Sequence, residues 1–296
     1  MALDYQTLTR FRRYEDSDAG IFEEFSERRL GPGRALALRS GPLGEAQSPA
    51  WVVCPTIGFE HGNLRRMEAI VARRLSAAGF PVLRIRPDTS PLHGEVALPL
   101  RITEVEEAVE LLGGSIGLIG VRFGGTVAAL VAERLGATSL ALIEPVTRGR
   151  QYARELVRRE AVAKLMGPEV GDGAGPMQQL STTGHVYVRG LELTHDAFEA
   201  ISGVNLTTDL HTFDGRSLLI GISPTGAASP GLRQLREHLE GLGGDVTLET
   251  IEDPLYAPLG DYYYRHVGLL RIDTRLDVDR RVADALARWG AARRRE

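Results

Sequence analysis

Ser115-Ile116-Gly117-Leu118-Ile119-Gly120-Val121-Arg122-Phe123-Gly124-Gly125 reads as a short apolar strand running into a glycine-flanked turn and then a helix. Its frame is that of the G-x-S-x-G nucleophile elbow, with Arg122 in the serine position. A sharp strand-to-helix turn drives its central residue into sparsely populated backbone geometry and leaves no room for neighbouring Cβ atoms, which is why glycines flank it. The side chain is another matter. A guanidinium stays protonated in proteins and has no lone pair with which to attack a carbonyl. The stretch therefore predicts the backbone of an elbow without its nucleophile, and acyl transfer by the usual route is not expected.

Outward from this stretch the chain alternates strand, loop and helix. Trp51-Val52-Val53-Cys54 is a buried strand ended by Pro55, and Pro81-Val82-Leu83-Arg84-Ile85-Arg86 is a second. Between them Met67, Ile70, Val71, Leu75 and Ala78 fall on one helical face; Ile102, Val105, Val109 and Leu112 mark a helix before the elbow strand, and Val127, Leu130, Val131 and Leu135 one after it. Upstream, Gly31-Pro32-Gly33 separates two plausible strands, 20–30 and 34–38, as an antiparallel hairpin at a sheet edge. After Ser139-Leu140-Ala141-Leu142-Ile143 the rhythm breaks for roughly seventy residues, too long for a plain connection. That stretch holds a charged helix near Arg148–Met166, a glycine-rich turn from Gly167 to Gly175 and a weaker helical region near His195–Ile201. Order returns with strand Ser217–Ile222, a helix carrying Leu232, Leu235, Leu239 and Leu242, strand Val246–Ile251, and a last helix carrying Val278, Val282, Leu286 and Trp289. The expected class is α/β, a mostly parallel central sheet with helices on both faces, in a single domain spanning 1–296 with a lid inserted at about 146–216.

The strand ending at Cys54-Pro55, the loop Thr56-Ile57-Gly58-Phe59-Glu60-His61, the step Ala78-Gly79-Phe80-Pro81-Val82-Leu83-Arg84 and the Gly120–Gly125 elbow together resemble the α/β-hydrolase superfamily. Within it the chain is similar to bacterial serine-aminopeptidase-type hydrolases and to the hydrolase-like proteins associated with exosortase systems, some of which also carry arginine in the elbow. The resemblance covers residues 50–145 well and 217–290 only by the order of elements. It implies an α/β-hydrolase fold, and an oxyanion hole made by the amides of Ile57 and Phe123. It also marks three departures: Arg122 for the nucleophile, no carboxylate in Ser223-Pro224-Thr225-Gly226-Ala227-Ala228-Ser229-Pro230 where the acid belongs, and no histidine after the last strand before His266. Since triad members act as a unit, the triad is degenerate.

Each candidate has two readings. Arg122 is either a clamp whose fork holds a carboxylate or phosphate, or a structural cation paired with a local acid such as Glu144. The amides of Ile57 and Phe123 either hold an oxyanion or belong to an ordinary, internally bonded turn. His61 either meets substrate or forms a surface pair with Glu60, and His266 either enters the old triad site, oriented by Asp261 or Asp253, or is a loop histidine. Asp88 is a pocket wall or a turn former, Tyr262-Tyr263-Tyr264 a pocket mouth or lid packing, and Cys54 a small buried hydrophobe before it is a nucleophile.

At 296 residues, 43% of them hydrophobic, the chain can bury one large core. A net charge of -4, with arginines spread through amphipathic segments, gives no general attraction to nucleic acid. One cysteine excludes an internal disulfide and a thiolate cluster, and the histidine spacings fit no short-range metal site, so neither metal nor cofactor is expected. No run approaches the roughly 18 apolar residues of a membrane helix, and Met1-Ala2-Leu3-Asp4-Tyr5 has no signal-peptide character, so a cytoplasmic protein without membrane insertion is expected. The functional expectation is an arginine-centred site that binds or acts on an anionic or acyl small molecule without a serine acyl-enzyme, in a bacterial biosynthetic pathway. The alternative is a non-catalytic pseudohydrolase serving as scaffold, protein partner or homodimer subunit.

Overall fold

The expected strand–helix alternation forms one nine-stranded sheet. We describe it from a computed structural model, covering residues 13–32, 35–87, 98–166, 175–188, 191–254 and 272–292. The strands are β1 (Arg13–Asp16), β2 (Ile21–Leu30), β3 (Ala35–Pro42), β4 (Ala50–Cys54), β5 (Val82–Arg86), β6 (Ile116–Val121), β7 (Ser139–Ile143), β10 (Arg216–Ser223) and β11 (Val246–Glu252), in spatial order β1-β2-β3-β5-β4-β6-β7-β10-β11. The first three run antiparallel, and β3 joins β5 antiparallel; from β5 to β11 every pairing is parallel. The predicted hairpin is β2–β3, but the edge of the sheet is the short, exposed β1, which the sequence reading did not find.

Parallel neighbours need crossovers, and helices supply them. α1 (Gly58–Ala77) links β4 to β5, α2 (Leu98–Leu112) leads to β6, and α3 (Phe123–Ala132) to β7; α8 (Pro230–Gly241) links β10 to β11, and α9 (Ile272–Ala291) closes the described chain. Alternation along each strand splits the core into two layers. Trp51, Val53, Ile119, Val121, Ile143 and Ile220 face α1 and α9, while Val52, Leu118, Leu140, Leu142 and Leu219 face α2, α3 and α8. Gly117 makes the first layer possible, since a Cβ there would lie 2.5 Å from the Trp51 ring.

The irregular stretch between β7 and β10 is more ordered than its sequence suggested. It contains α4 (Gly149–Met166), α5 (Pro176–Thr183), the antiparallel hairpin β8 (His185–Val188) and β9 (Leu191–Thr194), α6 (His195–Gly203) and the single turn α7 (Leu206–Asp209). The charged helix and the His195 region fall as expected, whereas the hairpin, whose strands are four residues each, gave too short a period-2 signal to read. Most of the glycine-rich turn lies outside the described residues. Glu133, the C-cap of α3, pins the return to the sheet, its Oε1 accepting the amides of His211, Thr212 and Phe213.

Candidate functional site

The chain runs from β4 outward to β5 on one side and from β6 to β7 on the other, so the sheet reverses direction between β4 and β6. A crevice outside the carboxyl ends of the strands opens at such a point. The β4–α1 loop, Pro55-Thr56-Ile57, meets the turn after β6 there.

That turn is an elbow in backbone terms. Arg122 has φ 54° and ψ -124°, a region that non-glycine residues rarely enter and that costs on the order of 1–3 kcal/mol where it is imposed. Its neighbours impose it. A Cβ on Gly120 would sit 2.2 Å from the Gly124 carbonyl oxygen, and one on Gly124 would sit 2.7 Å from the Cys54 carbonyl oxygen. The Arg122 amide donates to the Ile143 carbonyl at 2.9 Å, and the Arg122 carbonyl accepts from Gly125 at 3.0 Å. Thr126 Oγ1 donates to the Val146 carbonyl at 2.8 Å, fastening α3 to the strand end beside it.

The elbow places a cation at the carboxyl ends of the strands. The Arg122 side chain is 15% exposed, and its Nε lies 3.5 Å from Oε1 of Glu60, which is fully buried in the first turn of α1. Oε2 of Glu60 accepts from Thr56 Oγ1 at 3.1 Å. An acid in that turn also sits at the positive end of the α1 dipole. The Arg122 guanidinium carbon is 5.9 Å from the centre of the Tyr152 ring of α4, and Tyr152 stacks on Phe123 at 5.4 Å with 18° between the planes. The sequence offered Glu144 as the partner of Arg122. Glu144, also at positive φ (48°), instead turns Oε1 to the Ile222 amide at 2.8 Å, because the end of β7 must satisfy the end of β10 beside it.

Ile57 caps α1 with extended geometry and no side-chain bond, and Gly124 brings the start of α3 against Cys54 and Thr56. Among the described residues, neither the Ile57 nor the Phe123 amide meets a backbone acceptor outside helix and strand ladders. An ordinary turn of the kind expected would have bonded them internally, and among those backbone bonds it does not.

His61 and Glu60 do not form the surface pair that their adjacency suggested. Both are buried, at 1% and 0% exposure, because α1 turns its first turn into the protein. Among the described residues, neither ring nitrogen of His61 has a hydrogen-bond partner. Burial, followed by the charges of Arg65, Arg101 and Arg86, pushes its pKa down to about 3, so the imidazole is neutral. Cys54 is buried too, and burial, then the nearby Glu68 carboxylate, pushes its thiol up, which makes it inert packing. Asp88, His266, Asp261 and Tyr262–Tyr264 lie outside the described residues, while Asp253 continues β11 with its amide on the Ser223 carbonyl at 2.9 Å. The acid-bearing turn of the elbow's usual partners is here a local structure: Ser223 Oγ donates to Ala227, and Ser229 Oγ caps α8 by accepting from the Leu232 amide at 3.2 Å.

Sequence reasoning missed Thr56 and Tyr152. A threonine four residues before an acid at a helix start was a readable signal for the first; nothing in the sequence indicated that α4 would lay Tyr152 over the elbow. Among the described residues, no three His, Cys, Asp or Glu side chains are placed to hold a metal, and no helix is long and apolar enough to cross a membrane.

No protein-family model matches the chain, and no curated protein sequence matches it. Solved structures do. Est1E from Butyrivibrio proteoclasticus, solved with ferulic acid, superposes with a TM-score of 0.59 at 14% identity over 87% of this chain and 97% of that one. An esterase of Pyrobaculum calidifontis gives 0.57 at 15% identity over 91% and 86%, and the esterase domain of a Rhodothermus marinus protein 0.56 at 14% over 92% and 98%. The chain has the α/β-hydrolase fold. At such identities the likeness speaks for the fold alone.

Proposed function

We propose that this chain binds and acts on an acyl or carboxylated small molecule at an arginine-centred site, without a serine acyl-enzyme. One observation carries the reading: the residue at φ 54° in a fully formed elbow is a cation whose side chain keeps 15% of its surface exposed. Beside it stand two backbone amides in the arrangement that polarises a carbonyl oxygen in acyl chemistry. The Arg122 fork takes a carboxylate oxygen, Glu60 and Tyr152 hold the fork in place, and the Ile57 and Phe123 amides take the second oxygen or an acyl carbonyl. Such a site works by orientation and charge stabilisation, not by a covalent step. That the structural neighbours are esterases favours an acyl-bearing ligand, and the segment between β7 and β10 serves as the lid through Tyr152.

The Glu60–Arg122 ion pair favours a second reading, in which the arginine is structural and the protein is a non-catalytic scaffold. A thermal-shift titration with short-chain carboxylates and acyl phosphates on wild type and Arg122→Ala separates the two. A ligand at a hundred times its dissociation constant adds about 2.7 kcal/mol to wild type, and Arg122→Ala abolishes the gain. Equal gains in both proteins sink the arginine-centred site. No gain in either, with the variant much less stable, leaves the scaffold.

A further inference from the structure

One helical turn beyond the elbow's ion pair is a cluster of cations that the Arg122 site does not use. α1 places His61, Arg65 and Glu68 at i, i+4 and i+7, on one face. β5 places Arg84 and Arg86 on the same face as Val82, which belongs to the core layer under α1. The helix packs on the strand, so the two stripes share one interface: Arg84 and Arg65 act on Glu68, Arg65 acts on Arg86, and Arg65, Arg101 and Arg86 act on His61. Arg101, in the first turns of α2, is buried there as well. Among the described residues, the acids of the cluster do not balance it. Arg84 pairs with Glu23 at 3.3 Å, and Arg101 with the fully buried Glu104 at 2.9 Å. Arg86 is half-buried, and the charge acting on it is the like charge of Arg65. A half-buried cation facing another cation, beside a buried imidazole with two unpartnered nitrogens, is an arrangement completed by an anion.

We propose that the ligand carries a second anionic group, a carboxylate or a phosphate, held by Arg65, Arg86 and Arg101 and by a ring nitrogen of His61. The inference rests on the arginine-centred reading above, because Glu60, which holds Arg122, and His61 are consecutive residues of α1. In this proposal one ligand reaches both, its acyl or carboxyl end at Arg122 and its far anion at Arg86. The neutral imidazole suits this role, giving one N–H to the anion while the guanidinium groups supply the charge. Burial, opposed by Arg84 and Arg65, raises the Glu68 carboxyl to about 7, and burial raises Glu104 to about 7 against the pull of Arg101, so at neutral pH neither acid fully cancels the cations.

Calorimetric titration with butyrate, the α,ω-dicarboxylates from succinate to suberate, and inorganic phosphate tests this on wild type, Arg86→Gln and Arg122→Ala. At least one dicarboxylate binds wild type about tenfold more tightly than butyrate, the worth of one charge-assisted contact. Arg86→Gln removes that advantage and leaves butyrate binding unchanged, and the His61 C2 proton moves in NMR spectra on addition of the dicarboxylate but not of butyrate. Arg65→Gln, at an exposed position, replaces Arg86→Gln should the latter not fold. The second-anion site is overturned if no dicarboxylate or phosphate outbinds butyrate, or if Arg86→Gln weakens all probes alike; the Arg122 reading then stands as long as Arg122→Ala still abolishes butyrate binding. If phosphate binding depends on Arg86 while Arg122→Ala changes nothing, the anion site stands by itself and the proposed function falls.

Discussion

Two turns end neighbouring parts of the same sheet, and they are built on opposite principles. The turn after β6 is fixed by backbone meeting backbone: Gly120, Gly124 and Arg122 leave no spare volume, whatever the central side chain is. The turn after β10 is fixed by side chains, with Ser223 and Ser229 bonding locally, and it has room, since a Cβ on Gly226 would meet nothing closer than 3.5 Å. The first can therefore carry an arginine without changing shape. The second offers neither an acid nor a rigid frame. The residues that the two turns bring to the carboxyl ends of the strands are therefore those of the elbow and of the β4–α1 corner facing it.

The largest effect should separate the two turns directly. Gly120→Ala is expected to lose more than about 3 kcal/mol or fail to fold, while Gly226→Ala, strained only by its φ of 68°, loses about 1 kcal/mol. Urea unfolding measures both, and comparable losses would mean that the elbow is not backbone-fixed.

Next comes the ion pair behind the elbow. Glu60→Ala removes the partner of Arg122 and the acceptor of Thr56, and is expected to cost about 2–4 kcal/mol, against less than about 1 kcal/mol for Ser223→Ala at the other turn. With Arg122→Met as the second mutation, the double-mutant cycle should show coupling of about 1–3 kcal/mol. Coupling near zero would detach Arg122 from Glu60 and remove the structural reading of the arginine.

A smaller effect tests the buried charge under the β4–α1 corner. Glu68 has its carboxyl raised to about 7 by burial, with Arg84 and Arg65 opposing. A raised carboxyl pKa means that the folded state holds the proton more tightly, so wild type loses this contribution as pH rises from about 4.5 to 7. Glu68→Gln does not titrate there. It should match wild type below pH 4.5 and exceed it by roughly 1–3 kcal/mol above pH 7.5 in denaturant titrations. A constant difference across this range would show that Glu68 is ionised throughout.

The smallest expected effect is no effect. Neither wild type nor Arg122→Ser should hydrolyse short-chain activated esters or take up a fluorophosphonate probe, because the elbow serine of the variant still lacks an acid after β10. Saturable labelling of one serine in wild type would overturn the serine-free reading, and turnover by Arg122→Ser would show that the β10 turn matters less than the contrast with the elbow implies.

The sheet was legible because its signals are local. Continuous apolar runs such as Ile116–Val121 and the helical faces around Val71 and Leu286 are written in consecutive residues, and they fell where the patterns placed them. The hairpin His185–Thr194 and the edge strand Arg13–Asp16 escaped notice because four-residue strands carry too few alternations to stand out. For the candidate site, the sequence named Arg122, Ile57, Phe123 and His61, with Glu144 as one possible partner of Arg122 and a surface pair with Glu60 as one reading of His61.

By itself the sequence determined that a glycine-framed turn would follow the central strand and that a cation, not a serine, would stand at its apex. Those are statements about residue identity and backbone sterics over a few positions, and such terms are fixed before the chain folds. The tertiary structure alone decided where each charge ends up: Glu60 beneath Arg122, Glu144 on the Ile222 amide, and His61 buried among Arg65, Arg86 and Arg101. A side chain's partner and its burial depend on elements distant in sequence, and the free energy of a charge depends on both.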